Sequence, residues 1–331
     1  MRAEAKNEAP SRIVVIGASA GGIPALLALA AMLPPDFPAP IVVVQHIGAY
    51  PSRLAELLAG RGPNPAVTAR DAAVIRAGTI YVAPPDHHVL VGAGTLQLTR
   101  GAKENHSRPA IDPLFRTAAL AYGRNAIGVI LTGMLDDGAA GLRAIKDCGG
   151  ITVVQDPEEA LEPAMPLSAM ARTQVDHVSR INRMAGLLSA LASQPVETDM
   201  AGRPWKLQRE QAASMGDNPI ENLKAIGHPS VFSCPDCGGV MFELDDEAPA
   251  RFRCHTGHAF SMLSLTSRQE EVTGDALWVA LRAMQEKEMG LRRMAELFPE
   301  GRERHQELIA EAKALAEAAA TLRKLTTADA Y

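Results

Sequence analysis

Short runs of β-branched residues alternate with Ala/Leu-rich stretches along the N-terminal part of the chain, and this alternation narrows the fold more than any other feature. RIVVIGA is followed by IPALLALAAML, and PIVVVQH by PSRLAELLAG. Strand then helix, repeated, builds a parallel sheet with both faces covered by helices. Residues 65–99 carry strand and turn signals instead (VTARD, GTIYVAPPD, HHVLVGAGTLQLT), which predicts hairpins added to one sheet edge. The alternation resumes with DPLFRTAALAY, AIGVILTG, GAAGLRAIKDCGG and ITVVQ, where Asp112 reads as an N-cap and Pro113 as the first helical residue. The expected fold class is therefore α/β, a doubly wound, mostly parallel sheet with helices on both faces, over residues 12–195 after a flexible N-terminus at 1–11.

The remainder reads differently. Residues 196–226 are polar and irregular, the pattern of a linker with one helical turn. Residues 227–265 form a compact Cys-containing stretch, and 268–328 are helix-forming with a break at FPEG, which predicts a helical hairpin. With 47% hydrophobic side chains in 331 residues, the chain can bury one good-sized core and still build something smaller. The 33 basic and 38 acidic residues leave a net charge of −5, so neither nucleic acid nor an anionic membrane surface is an expected partner. No apolar run approaches the roughly 20 residues that span a bilayer, and MRAEAKNEAPSR lacks the apolar core of a secretory signal; membrane insertion is not expected, and a cytoplasmic location is.

Gly17-Ala18-Ser19-Ala20-Gly21-Gly22 lies where a buried strand turns sharply into a helix, so Ser19 projects at the strand's carboxyl end with backbone N–H groups at the helix start available to an oxyanion. Gly-rich corners also open dinucleotide sites. Here, however, Ser19 replaces the second Gly of G-x-G-x-x-G, and the next strand ends in His46 instead of an acid. Beside a serine elbow, His46 reads as a general base. AIGVILTGMLDDGAAGL supplies Asp136 and Asp137 at the same sheet edge; one is expected to cap the following helix and the other to accept the imidazole N–H.

GASAGG, VVQHI, IYVAPPDHH, NHSRPAIDPLF and GVILTGMLDDGAAGL, in that order over residues 12–188, resemble the catalytic domain of the chemotaxis protein-glutamate methylesterases, the CheB type. The resemblance places the triad on Ser19, His46 and Asp137. It implies hydrolysis of glutamate γ-methyl esters on chemoreceptor or related helical signalling proteins, with deamidation of glutamine in some members and no catalytic cofactor. The backbone N–H groups of Met134 and Ala20 become candidate oxyanion donors, and Arg108 a candidate for positioning substrate. His87, His88 and His106 read as supporting residues near the same rim.

The chain departs from the family pattern at both ends. About 11 residues precede the first strand, where such enzymes usually carry a receiver domain, so phosphorylation control in cis is not expected. The C-terminal addition holds Cys234-x-x-Cys237 and Cys254-x-x-x-His258, a spacing that lets two short loops present four ligands to a structural Zn²⁺ in a zinc-ribbon-like module. His255 competes as fourth ligand, and the resemblance to receiver-less methylesterases with a CPxCGG…RFRC…GH tail favours His258. Cys148 reads as an inert helix-end residue. The competing function, from another class, is a catalytically silent module that docks receptor or kinase helices.

Overall fold

The computed structural model describes residues 11–48, 50–195, 203–246 and 249–328, so most of the N-terminal stretch 1–11 and the start of the 196–226 stretch lie outside the described residues. Seven strands form one all-parallel sheet: β1 (Ile13–Ala18), β2 (Ile41–Gln45), β3 (Ala66–Thr68), β4 (Ile80–Val82), β7 (Ala126–Ile130), β8 (Ile151–Gln155) and β9 (His177–Ser179), in the order β3-β4-β2-β1-β7-β8-β9. Between β4 and β7 in the chain, β5 (His88–Val91) and β6 (Leu96–Thr99) pair only with each other. The hairpin expected in residues 65–99 thus exists, but it stands apart from the sheet, while β3 and β4 join the edge in parallel.

The strands read as continuous apolar runs because both faces are buried. Val14, Ile16 and Ala18 of β1 join the layer of α1 (Gly22–Met32), α2 (Leu54–Ala59) and α6 (Ile181–Ala192). Ile13 and Val15 face the opposite layer, made of α3 (Ile111–Tyr122), α4 (Ala139–Asp147), α5 (Ala164–Arg172) and the β5–β6 hairpin. Each such Val or Ile contributes about 2 kcal/mol on burial, so a one-residue slip in register would forfeit both layers at once. The connections on the two sides of β1 run over opposite faces, so the boundary between β1 and β7 is the topological switch point, at whose carboxyl edge open α/β sheets hold their ligands.

Two helices, α7 (Trp205–Ser214) and α8 (Pro219–Ile226), occupy most of the stretch expected to be a linker. Their polarity is misleading: Ala213, Leu223 and Ile226 are buried with Phe242 and Leu244, and Glu210 is buried among arginines. A four-stranded antiparallel sheet follows, β10 (Gly227–Ser233), β11 (Val240–Leu244), β12 (Arg251–Cys254) and β13 (Ala259–Ser261). Residues 1–265 make one compact unit, so this small sheet is part of the same body as the large one. The described residues from 266 onward form a second unit, in which all but the first four residues of α9 (Met262–Ala295) and all of α10 (Glu303–Ala328) make the expected helical pair, with Leu291, Ala295, Leu308 and Ala312 buried together and Lys287 paired with Glu311.

Candidate active site

Ser19 follows the last residue of β1, His46 follows the last residue of β2, and Asp137 lies on the turn between β7 and α4. Since β2, β1 and β7 are adjacent and parallel, all three side chains come to one sheet edge. His46 lies between the other two: its Nδ1 is 3.1 Å from Ser19 Oγ and its Nε2 2.7 Å from Asp137 Oδ2. Asp137 can only accept, so Nε2 carries the proton it donates, and Nδ1 is left to accept from the Ser19 hydroxyl. The His46 side chain is 19% exposed and that of Asp137 3%, so the imidazole keeps some access to solvent while the acid is enclosed.

Backbone hydrogen bonds fix the three corners. The Ser19 amide donates to the Thr132 carbonyl and the His46 amide to the Ala18 carbonyl, each at 3.0 Å. Gln45 Nε2 donates to the carbonyls of both Ser19 and His46, tying nucleophile and base together. In the sequence Gln45 is marked only by its place in VVQHI at the end of a buried strand, with no sign of this role. Gly21, with φ 75°, turns the chain into α1, and a Cβ there would meet Leu161 at 2.8 Å.

Asp137 accepts four donors. Oδ2 takes His46 Nε2 and the Ile111 amide (2.7 Å), while Oδ1 takes Asn105 Nδ2 (2.9 Å) and the Asp112 amide (3.2 Å). Burial alone would raise its carboxyl, but the hydrogen bond and charge of His46 and the hydrogen bonds from the Ile111 amide and the Asn105 side chain hold it below the ordinary value. Neither acid caps α4, whose N-cap is Gly138 with no side-chain bond. The Asp136 carboxylate instead accepts Ser261 Oγ at 2.7 Å, and burial raises its pKa. Asp112 does not cap α3 either: the N-cap is Ala110, and Asp112 is buried in the first turn, accepting Asn105 Nδ2 and the Gly141 amide. Burial and the charge of Asp137 push Asp112 up to about 7.

The other sequence candidates are spread around this centre. Met134 is 58% exposed on the turn after Gly133, and Leu161 is 73% exposed beside Gly21, which gives Ser19 an apolar rim. Arg108 is engaged elsewhere: it bonds Asp86 through Nε at 2.8 Å and again through Nη2, and its Nη1 donates to the carbonyls of Arg100 and Gly101. That guanidinium holds together its own loop, from Asp86 to Gly101. His88 is buried, bonded to the Ala102 carbonyl and the Ala110 amide, with its pKa lowered by burial. His87 bonds the Pro85 carbonyl, and His106 lies 3.4 Å from Asp236. Cys148 is buried at the end of α4, and burial raises its thiol to about 11.

In the small sheet, one ligand atom from each of Cys234, Cys237, Cys254 and His258 lies within 4.8 Å of the others. Three thiols and one imidazole on two short loops suit a borderline-soft, tetrahedral cation. His255 is exposed and is not part of that group. Among the described residues no helix is long and apolar enough to cross a membrane.

A parallel α/β sheet that gathers a serine, a histidine and a carboxylate at adjacent strand ends has the architecture of a hydrolase. The family model described as CheB methylesterase matches residues 14–188, more than half of the chain, and the chain belongs to that family and is a methylesterase. A relative from Leptospira interrogans is 43% identical over 189 residues, covering 56% of this chain and 96% of its own length. A protein-glutamate methylesterase/protein-glutamine glutaminase of Anaeromyxobacter dehalogenans is 42% identical over 194 residues, which is 57% of each chain. The crystal structure of the Thermotoga maritima CheB methylesterase catalytic domain is similar with a TM-score of 0.52 at 35% identity, over 54% of this chain and 98% of that one.

Proposed function

We propose that the chain hydrolyses glutamate γ-methyl esters on a methylated chemoreceptor or related helical signalling protein, with Ser19 as nucleophile, His46 as general base and Asp137 as the acid that orients it. Ser19 Oγ attacks the ester carbonyl while His46 Nδ1 takes its proton, and the same proton passes to the departing methoxide to release methanol. Water, deprotonated by His46, then attacks the acyl-enzyme and frees the glutamate. Asp137 stabilises the imidazolium in both halves. A primary amide in place of the ester would lose ammonia by the same route, which is deamidation of glutamine. The N–H groups of Ala20 and Met134 are assigned to the oxyanion, and the exposed Met134 and Leu161 to the apolar face of a substrate helix.

The observation that carries this reading is the single imidazole bridging Ser19 at 3.1 Å and a buried carboxylate at 2.7 Å. A silent docking module would have no use for that alignment. We assign Cys234, Cys237, Cys254 and His258 to one structural Zn²⁺, which would cross-link two loops of the small sheet and take no part in the chemistry.

The test is methanol release from a methyl-esterified receptor and covalent labelling by a fluorophosphonate probe. Both are expected in the wild-type chain and absent in Ser19→Ala. Folded, zinc-loaded wild-type protein that does neither would sink the proposal.

A further inference from the structure

The loop that reaches Asp137 from outside the large sheet is held by the small one. Asn105 is in the left-handed region (φ 48°), and its amide donates to the Ala259 carbonyl at 2.8 Å, while the Ala259 amide donates to the Lys103 carbonyl at 3.3 Å. The side chain is fixed just as tightly. Its Oδ1 accepts the Ser261 amide at 3.1 Å and Ser264 Oγ at 2.8 Å, both from the end of the Cys/His module. With the oxygen so engaged, the NH₂ can only face the other way, where it donates to Asp137 Oδ1 at 2.9 Å and Asp112 Oδ2 at 3.0 Å. A flipped amide would put oxygen against two carboxyl groups. Ser261 Oγ reaches Asp136, the neighbour of Asp137. Arg253, fully buried, bonds Glu104, the neighbour of Asn105, and also the Gly257 carbonyl next to His258.

We propose that the Cys/His module is a positioning device for the triad: Ser261 and Ser264 hold Asn105, Asn105 holds Asp137, and metal at Cys234, Cys237, Cys254 and His258 keeps that chain of contacts in place. This rests on the reading of Ser19, His46 and Asp137 given above. The link from metal to acid is short. His258 immediately precedes Ala259, whose carbonyl accepts the Asn105 amide and which pairs with Glu104, and the His258 carbonyl accepts the Cys254 amide at 2.9 Å. The module's own apolar core is small, comprising Cys234, Met241, Phe252, Cys254, Phe260 and Leu265, so two of its six buried members are themselves metal ligands. A core of that size depends on a cross-link to stay ordered. Asn105, Ser261 and Ser264 are thus positioning residues, and metal occupancy becomes a setting of esterase competence.

The experiment uses the full chain loaded with zinc, its metal content measured. Ser264→Ala removes one donor to Asn105 without disturbing the Asn105 backbone. It is expected to lower kcat about ten-fold, because small misplacements of a catalytic group are costly, with KM for the ester unchanged. On an Asp137→Asn background the same change should have no further effect on the rate of fluorophosphonate labelling, since it acts through that carboxylate. Removing zinc with a chelator should raise hydrogen exchange across residues 103–107 and slow labelling at least as much, and restoring zinc should reverse both. Metal-free protein that labels at the native rate, or a Ser264→Ala loss that is equally large without Asp137, would overturn the proposal. If the zinc-loaded wild type neither labels nor hydrolyses ester, the esterase reading falls. The positioning claim is then decided by exchange alone: protection at 103–107 that survives zinc removal overturns it, and protection that is lost upholds it.

Discussion

His46 uses its ring in the order Nδ1 to serine and Nε2 to acid, and the consequence lies in what Asp137 must be. Four N–H donors converge on its two oxygens, so only an ionised carboxylate satisfies them all. Asn at 137 has one acceptor oxygen. Its NH₂ would face either His46 and the Ile111 amide or Asn105 and the Asp112 amide, and in the first case it selects the imidazole tautomer that cannot accept the Ser19 proton. Asp137→Asn should therefore lower kcat by about 10⁴-fold with the fold retained, as measured by ester turnover beside circular dichroism. Asp112 supplies a second test. Its carboxyl is raised from 3.8 to about 7 in the folded protein, so between those values the folded state holds a proton that the unfolded chain has released. Its stabilising contribution is full below about pH 4 and is lost as pH rises through 7. Buried His88, with a lowered pKa, works in the opposite sense below pH 6.5. The difference in Tm between Asp112→Asn and wild type removes the His88 effect, and it should move in favour of the variant between pH 5 and pH 8. Ser19 and His46 could be picked out because each directly follows a readable strand, and Asp137 because it lies on a readable strand-to-helix turn. Asn105 was not, because nothing in NHSRP tells which way an amide in a loop is turned until the Ser261 and Ser264 donors are in place.

Among the elements, the turn from β7 to α4 is the most constrained. It must place Asp137 under His46 and also pass close behind Ser19. The Gly133 amide donates to the Glu162 carbonyl, Leu135 is held at φ 60° in the left-handed region, and a Cβ on Gly133 would sit 2.8 Å from Ser19 Cβ and 2.0 Å from Met165 Sδ. The Met165 thioether can swing aside, but Ser19 Cβ is fixed by a backbone bonded on both sides. Gly133→Ala is expected to slow fluorophosphonate labelling of Ser19 by about 10²-fold, a displacement effect, while lowering Tm by only a few degrees. Equal loss in Ser19 labelling and in global stability would argue against displacement. Elements formed by local pattern were readable in advance: the β-branched runs became β1, β2, β7 and β8, and FPEG broke the helical pair. Elements whose apolar face is narrow were not. The α7 and α8 segments look like linker because few apolar residues, Leu207, Ala213, Leu223 and Ile226, face a core, and what anchors α7, buried Glu210, is a residue type that ordinarily marks a solvent face.

Across the whole of the 1–265 unit, one buried charge cluster joins pieces that are far apart in sequence. Glu104 pairs with Arg116 of α3 at 2.7 Å and Arg253 of β12 at 3.0 Å, and Glu210 of α7 pairs with Arg253 at 3.0 Å and Arg251 at 2.8 Å. Such a cluster is weak as a source of stability when intact, because desolvation offsets the attraction, but it is strong as a lock, because removing one partner leaves charge uncompensated in a dry site. Glu210→Gln strips the shared anion from Arg253, Arg251 and Arg116 and should cost about 3–5 kcal/mol in the urea unfolding free energy at pH 7. Its pH dependence identifies the cause. Burial alone would raise both carboxyls, yet the surrounding arginines hold Glu210 well below its ordinary value of 4.5 and Glu104 at about 2. Groups depressed in this way contribute stability above the unfolded value of 4.5 that is lost as pH falls through the folded values. The wild type should therefore lose stability steeply from about pH 5 downward, in the window opposite to that of Asp112, and Glu210→Gln should show a shallower loss with a gap to wild type that narrows by pH 3. A gap of the same size at pH 3 and pH 7 would mean that Glu210 acts through packing alone and that the module is held to the large sheet by something other than this charge.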